Sequence, residues 1–413
     1  VTRVGWRRAV RPDLANAGMW AIGAGHALTH TYTAALALLL PFIARDLRLT
    51  YSQIGLLLAV RQFMSTVVNL PAGILVDTIG RRDLFMTIAL LGMAVPYFLL
   101  STTSTYWIMV ACVALGGFGS FLWHPAAITS ISDMYPTRRG YGLAMHELGA
   151  NVGDTLMPVA TGALLGLLTW RQVITLNVAV GVLVGYLVLR VIARARTRAT
   201  QTSPPARAAE GYLSGLRALA GNTHLLMLAV VSGIRSFTQQ GLQSFLPLYL
   251  VHDLKHPAVV VGAYLSVVQL SGMVATPIAG TLSDRIGPKR VATVGMLTTS
   301  LALAGFAAFD LGSAFVAALA LVGFFAYSMR PALFRWAIGV TPRQYEGTTV
   351  GALFTTQALF STMMPLVGGA IADRIGLLPV FYVIAGALVI GNLVVLIVPD
   401  LKRPAAVGRV AEP

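Results

Sequence analysis

Long apolar runs separated by short polar connectors dominate the chain. Twelve such runs stand out, at 15–45, 51–78, 83–103, 105–135, 139–168, 171–194, 223–252, 257–284, 288–310, 312–341, 346–374 and 378–400. A helix rises 1.5 Å per residue, so about 20 apolar residues cross the ~30 Å hydrocarbon core of a bilayer. Every run reaches that length, which predicts an all-α integral membrane protein of twelve transmembrane helices. Eight of them (the first, second, fourth, fifth, seventh, eighth, tenth and eleventh) are longer than a perpendicular crossing needs, as tilted or curved helices around a cavity would be.

The connectors carry an orientation. Placing both termini in the cytoplasm puts 21 Lys and Arg residues on that side and 5 on the other, a strong positive-inside bias. The expected location is the inner (plasma) membrane, with both termini cytoplasmic. Val1 to Asp13 holds four arginines, and the apolar run after it lacks a small-residue cleavage site. It is expected to remain as the first membrane helix rather than to leave as a signal peptide. The long polar stretch 195–221 reads as a cytoplasmic linker between six-helix halves at 1–194 and 222–413.

The halves repeat. Gly73 and Asp77 recur as Gly280 and Asp284, Ile54-Gly55 as Val261-Gly262, and Pro158 and Gly162 as Pro365 and Gly369, all at an offset of 207. Pro125 and Pro136 recur as Pro331 and Pro342 at 206. Several matches at one offset indicate a duplicated six-helix unit, giving two pseudo-symmetric bundles with a solute site between them.

Composition narrows the function. Only 11% of residues are charged, against about 25% in soluble domains. The net charge of +15 sits in connectors and builds no basic face with interleaved aromatics, so nucleic acid is not an expected partner. Cys112 is the lone cysteine, which excludes an intrachain disulfide.

Ionisable groups at bilayer depth cost roughly 2.5–3.5 kcal/mol each on insertion scales and therefore face a cavity or a partner. Here they are His26, His30, Arg61, His124, His146, Glu147, Asp154, Arg235, Arg330 and Arg335. Glu147 and Asp154 lie seven residues apart on one face of the fifth helix. As the two carboxylates well inside a span, they are the candidates for proton coupling, with Asp154 nearer mid-membrane. His26 and His30 share a face of the first helix, and Arg235, Gln239 and Gln243 form a stripe on its repeat equivalent. Two facing stripes suit a solute held between halves. His124 and Arg330 occupy equivalent places before Pro125 and Pro331, and a basic residue there in both halves suits an anionic or zwitterionic solute. His146 and Arg335, nearer the cytoplasmic ends, are expected to snorkel or serve a gate. His-x-x-x-His is also a spacing for a transition metal. The first helix shows no third ligand and the chain no thiolate set, so neither metal nor cofactor is expected.

The loop Gly73-Ile-Leu-Val-Asp77-Thr-Ile-Gly80-Arg81-Arg82, with its copy around Asp284 and Arg285, resembles the signature loop of the major facilitator superfamily. Thr78 replaces the usual basic residue. Glycine permits the tight turn, an aspartate can sit at a neighbouring helix's positive end, and Asp133 is a partner within reach of Arg81 or Arg82. Asp77, Arg81, Arg82, Asp133, Asp284 and Arg285 are therefore the candidate gate. Within that superfamily, Gly116-Gly-Phe-Gly-Ser-Phe-Leu-Trp-His124-Pro125 and Glu147-Leu-Gly149-Ala-Asn151-Val-Gly153 resemble the fosmidomycin-resistance group, as does Gly25-His26. That resemblance implies proton-driven export of a small toxic molecule. Arg61 has Val268 as its counterpart, which argues against a nitrate/nitrite porter, a group with a matched arginine pair.

No Walker-type phosphate loop, His-Glu-x-x-His run or appended soluble module occurs in the sequence. A secondary transporter is thus favoured over a membrane enzyme or a sensor. It is expected to work as a monomer in the bilayer, with a small solute and protons as partners; uptake by symport is the nearest alternative.

Overall fold

In the computed structural model the described residues are 17–135, 138–196, 221–308, 312–342 and 345–400. They form twelve long α-helices: α1 Ala17–Leu47, α2 Tyr51–Ile79, α3 Arg82–Thr102, α4 Tyr106–Met134, α5 Arg139–Leu165, α6 Trp170–Arg196, α7 Thr223–His252, α8 Ala258–Ile286, α9 Pro288–Ala308, α10 Phe315–Gly339, α11 Glu346–Ile375 and α12 Leu378–Ile397. A 3-10 turn, Gly312–Ala314, precedes α10. Nearly all of the expected linker lies outside the described residues. Among the described residues eight helices carry an apolar window long enough to cross a membrane; α5 and α7, described throughout, do not meet that measure. The reason is visible in α7, where Arg235, Gln239, Gln240 and Gln243 interrupt the apolar run. Their polarity is tolerated because α7 is largely buried in protein rather than in lipid.

Each half is built alike. In the first, α1 packs on α5 and α6, α3 on α4 and α6, and α2 on α4. In the second, α7 packs on α11 and α12, α9 on α10 and α12, and α8 on α10. Each of these contacts in one half has its counterpart in the other, as a duplicated unit requires. The turns after α2 and α8 also correspond: Gly80 and Gly287 have φ of 68° and 95°. Those are left-handed conformations that favour glycine.

The halves meet along α2–α11 and α5–α8. At both crossings the backbones touch. A Cβ on Gly55 would lie 2.2 Å from the Pro365 carbonyl oxygen, and one on Gly369 2.5 Å from that of Tyr51. Across the pseudo-symmetric seam, Gly262 would meet Pro158 O at 2.3 Å and Gly162 would meet Ala258 O at 2.4 Å. Lipid gives no hydrophobic drive between helices, so close packing at small residues is what holds such crossings together.

Polar bonds reinforce the same end of the molecule. The Asp373 carboxylate on α11 accepts from the backbone N–H of Tyr51 (2.7 Å) and Ser52 (2.8 Å) at the start of α2. Thr50 caps the third N–H of that helix, and Gln53 completes the capping box. His252 lies 3.3 Å from the Tyr51 hydroxyl and 3.1 Å from the Pro41 carbonyl, and Ser266 donates to Thr155 O at 2.6 Å. The Asp373 and His252 contacts sit where α1 ends and α2 begins, and the Ser266 bond lies deeper, beside Asp154. Among the described residues, the glycine contacts and hydrogen bonds that join the halves all lie between mid-bundle and this end, and none lies towards the other. The halves are therefore sealed at one end and splayed at the other.

A side chain in the seam must part it. With Cys112→Ser as background and Ser266→Cys as reporter, Gly262→Val is expected to raise labelling by an aqueous maleimide several-fold. Unchanged labelling would show that the seam does not depend on backbone contact.

Candidate functional site

Gly149 of α5 sits against Gly23 of α1, where an added Cβ would be 2.2 Å from the Gly23 carbonyl oxygen. This close approach lays His146 flat on His26, with ring centroids 3.6 Å apart. His26 Nδ1 donates to the His146 carbonyl at 2.8 Å, and its Nε2 stands 3.3 Å from His124 Nε2 on α4. His124 Nδ1 lies 3.2 Å from the Ser120 carbonyl. One turn along α1, His30 Nδ1 pairs with Asp154 at 2.9 Å. His26 and His146 are each only 1% exposed, whereas His30, His124 and Asp154 are half-buried. His146 is thus a packed ring rather than the snorkelling end group expected from its position. The sequence reading found no third partner for the α1 pair because it took α1 alone; packing delivers His124 from α4.

The second half contributes a different chemistry. Arg235 is 3% exposed and donates to Gln239 Oε1 (2.7 Å), Ser236 Oγ (2.8 Å) and Gln357 Oε1 (3.4 Å). Gln357 is itself held by Ser232 at 2.6 Å. Every one of these partners is neutral, and Arg235 Nε has none. Among the described residues no carboxylate pairs with this guanidinium. Gln243 donates to the Tyr327 hydroxyl at 3.4 Å, and that hydroxyl donates in turn to Gln269. Arg330 is exposed to the splayed opening and lies within electrostatic reach of His124 and Arg235.

Between these two sets lies a cavity lined by Thr33 of α1, Asp154 and Pro158 of α5, Gln243 of α7, Gln269 of α8 and Tyr327 of α10. Both halves form its walls. Glu147, which follows His146 along α5, is exposed, lies within electrostatic reach of His30 and forms no ion pair among the described residues, whereas Asp154 is engaged by His30. Arg61 is buried and reaches Thr33 Oγ1 at 3.4 Å, while Val268, its counterpart, lines the cavity.

The expected gate residues pair within their own halves. Arg82 bonds Asp133, tying α3 to α4, whereas Arg81 lies 3.7 Å from its neighbour Asp83. Asp284 pairs with Arg335 at 2.9 Å, tying α8 to α10. Arg285 is exposed at the end of α8, and the Asp77 side chain lies outside the described ones. Among the described residues, no ion pair crosses between halves at this end, consistent with its being splayed. Sequence reasoning missed Asp373, Gln357, Gln269 and Tyr327. Gln and Tyr inside an apolar run were a signal, but Asp373 gave none beyond its charge.

The sequence profile of the Major Facilitator Superfamily matches residues 22–359 and again 228–412. Similar proteins include the MFS-type transporter YfnC of Bacillus subtilis, 25% identical over 388 residues and covering 92% of each chain. Another is the multidrug resistance protein MdtG of Dickeya zeae, 28% identical over 345 residues, 81% of this chain and 82% of that one. The "Probable nitrate/nitrite transporter NarK2" of Mycobacterium tuberculosis is 26% identical over 80% of this chain and 83% of its own. Among solved structures, a bacterial homologue of the human lysosomal transporter Spinster superposes with a TM-score of 0.78 at 16% identity, covering 92% of this chain and 96% of that one. The nucleoside transporter NupG superposes at 0.76 with 14% identity, covering 92% and 98%. With twelve helices in two matched halves around a shared polar cavity, the chain belongs to the Major Facilitator Superfamily, a family of membrane transporters and not of enzymes.

Proposed function

We propose that this transporter carries a small anionic or zwitterionic organic solute by alternating access, as a proton-coupled exporter of the fosmidomycin-resistance kind in the inner (plasma) membrane. The observation that carries the anionic reading is Arg235. A guanidinium buried among neutral amides and a hydroxyl is costly unless a negative partner arrives. Its free Nε supports a solute carboxylate, phosphate or phosphonate as that partner. Arg330, across the opening and near both His124 and Arg235, supplies a second positive charge. The fork geometry of arginine suits such oxyanions better than a point charge would.

Proton coupling in this reading centres on Glu147, an exposed carboxylate beside the histidine layer with no ion-pair partner among the described residues. The positive-inside bias supports a cytoplasmic splayed end, where an exported solute would enter. The nitrate relative suggests an inorganic anion, but Val268 in place of a second α8 arginine disfavours it.

Two measurements test this. In purified protein, Gln357→Leu is expected to lower stability by about 1–3 kcal/mol, the usual cost of unsatisfied buried donors. Gln357→Glu should instead raise the melting temperature by supplying the missing countercharge. It should also abolish the stabilisation that carboxylates or phosphonates give the wild type. A Gln357→Glu protein that still responds to anions would remove Arg235 from the site.

In proteoliposomes with an imposed pH gradient, Glu147→Gln is expected to lose driven accumulation while keeping solute exchange. Proton movement opposite to the solute marks export, and movement with it marks uptake. Full driven transport by Glu147→Gln would overturn the coupling assignment.

A further inference from the structure

The histidine cluster of the first half has a use that the anion site does not absorb. A carbonyl oxygen can only accept, so the bond from His26 Nδ1 to His146 O fixes the proton of that ring on Nδ1. The contact of His124 Nδ1 with Ser120 O does the same for His124. In the neutral rings both Nε2 atoms are then bare lone pairs, yet they face each other at 3.3 Å. Two lone pairs at that distance repel unless a cation sits beside both.

The distance itself discriminates between cations. A proton shared by two nitrogens prefers a donor–acceptor separation of about 2.9–3.0 Å with the rings turned to align the bond. Here the separation is longer, and the ring planes are perpendicular, at 90°. Two imidazole nitrogens bound to one tetrahedral Zn2+ at about 2.0–2.1 Å stand about 3.3 Å apart. One ring nitrogen of His30 completes a set in which all three lie within 4.8 Å of one another. His30 is half-buried, and drawing the three nitrogens to ligand distances requires its ring to turn.

The surroundings match as well. Each ring has an oxygen partner on Nδ1: His146 O for His26, Ser120 O for His124 and the Asp154 carboxylate for His30. Metal-binding histidines nearly always have such an orienting acceptor on the second nitrogen, a carboxylate or a carbonyl. Three imidazoles without thiolate suit Zn2+, Cu2+, Ni2+ or Co2+ rather than Mg2+ or Ca2+. The one cysteine, Cys112, is buried and outside this group.

We propose that His26, His30 and His124 bind one divalent transition-metal cation of the Zn2+ class, with Asp154 orienting His30 and the fourth position open to the cleft. The ion joins α1 to α4 within the first half and is independent of the Arg235 anion site.

Cobalt serves as the probe, because tetrahedral Co2+ absorbs visible light far more strongly than octahedral Co2+. Full-length protein, stripped with chelator in detergent, is titrated with Co2+ and then with Zn2+. The expected result is one Co2+ per chain with the intense tetrahedral spectrum, displaced by one equivalent of Zn2+. His124→Ala is expected to abolish that spectrum. Asp154→Asn should weaken Co2+ binding by roughly 10–100-fold, as loss of an orienting partner does elsewhere. His256→Ala, at a half-buried loop position outside the cluster, should leave the titration unchanged. Should His124→Ala prove unstable by its melting curve, His30→Gln gives the same readout. Absence of the tetrahedral spectrum in the wild type, or its persistence in His124→Ala or His30→Gln, would overturn the proposal.

Discussion

Between the halves, helices meet backbone to backbone. Gly55 and Gly369 bring α2 onto α11, and Gly262 and Gly162 bring α8 onto α5, at approaches where any Cβ would lie within 2.5 Å of a carbonyl oxygen. In lipid this contact is dispersion and dipole packing, with no hydrophobic drive behind it. Such packing is lost steeply with distance, so the seam is either closed or gone. That property suits two rigid halves that pivot. The bonds from Asp373 to the α2 amino end, and from His252 to Tyr51, add direction to a contact that is otherwise only shape.

The same seam places the chemistry. By sealing one end it makes the cleft a vestibule whose floor holds Asp154, Pro158 and Gln269. The two walls are unlike despite their common origin. The first half concentrates rings that offer nitrogen lone pairs; the second offers a buried guanidinium held by amides. Duplication supplied the frame, and the buried polar residues diverged inside it. Among the described residues, the ion pairs at the splayed end lie within halves, Arg82 with Asp133 and Arg335 with Asp284, and stiffen each half.

The architecture was legible because a bilayer imposes length, and length is a property of one segment at a time. The run 223–252 coincides with α7, and 346–374 falls within one residue of α11. The tenth run begins earlier than α10 because Gly312–Ala314 forms a tighter turn first. The seam glycines were visible as repeat matches, but a repeat gives equivalence and not contact. It took packing to show that Gly55 meets Pro365. The pairing of Arg82 with Asp133 could be anticipated, since antiparallel neighbours α3 and α4 bring those ends together. His124 beside His26 spans 98 positions and Asp373 at Ser52 spans 321. No local period encodes such meetings. His146 was misjudged because depth along a helix was read without knowing which face α1 would cover.

The central claim is that two rigid halves exchange which end is sealed. Double electron–electron resonance on one spin-label pair per end tests it most directly. Labels replace Gly140 and Arg290 at the splayed end, and Thr102 and Leu254 at the sealed end. An anionic solute that stabilises the protein should shorten the first distance and lengthen the second in the same sample. Distances that stay fixed, or that both lengthen or both shorten, would contradict the account.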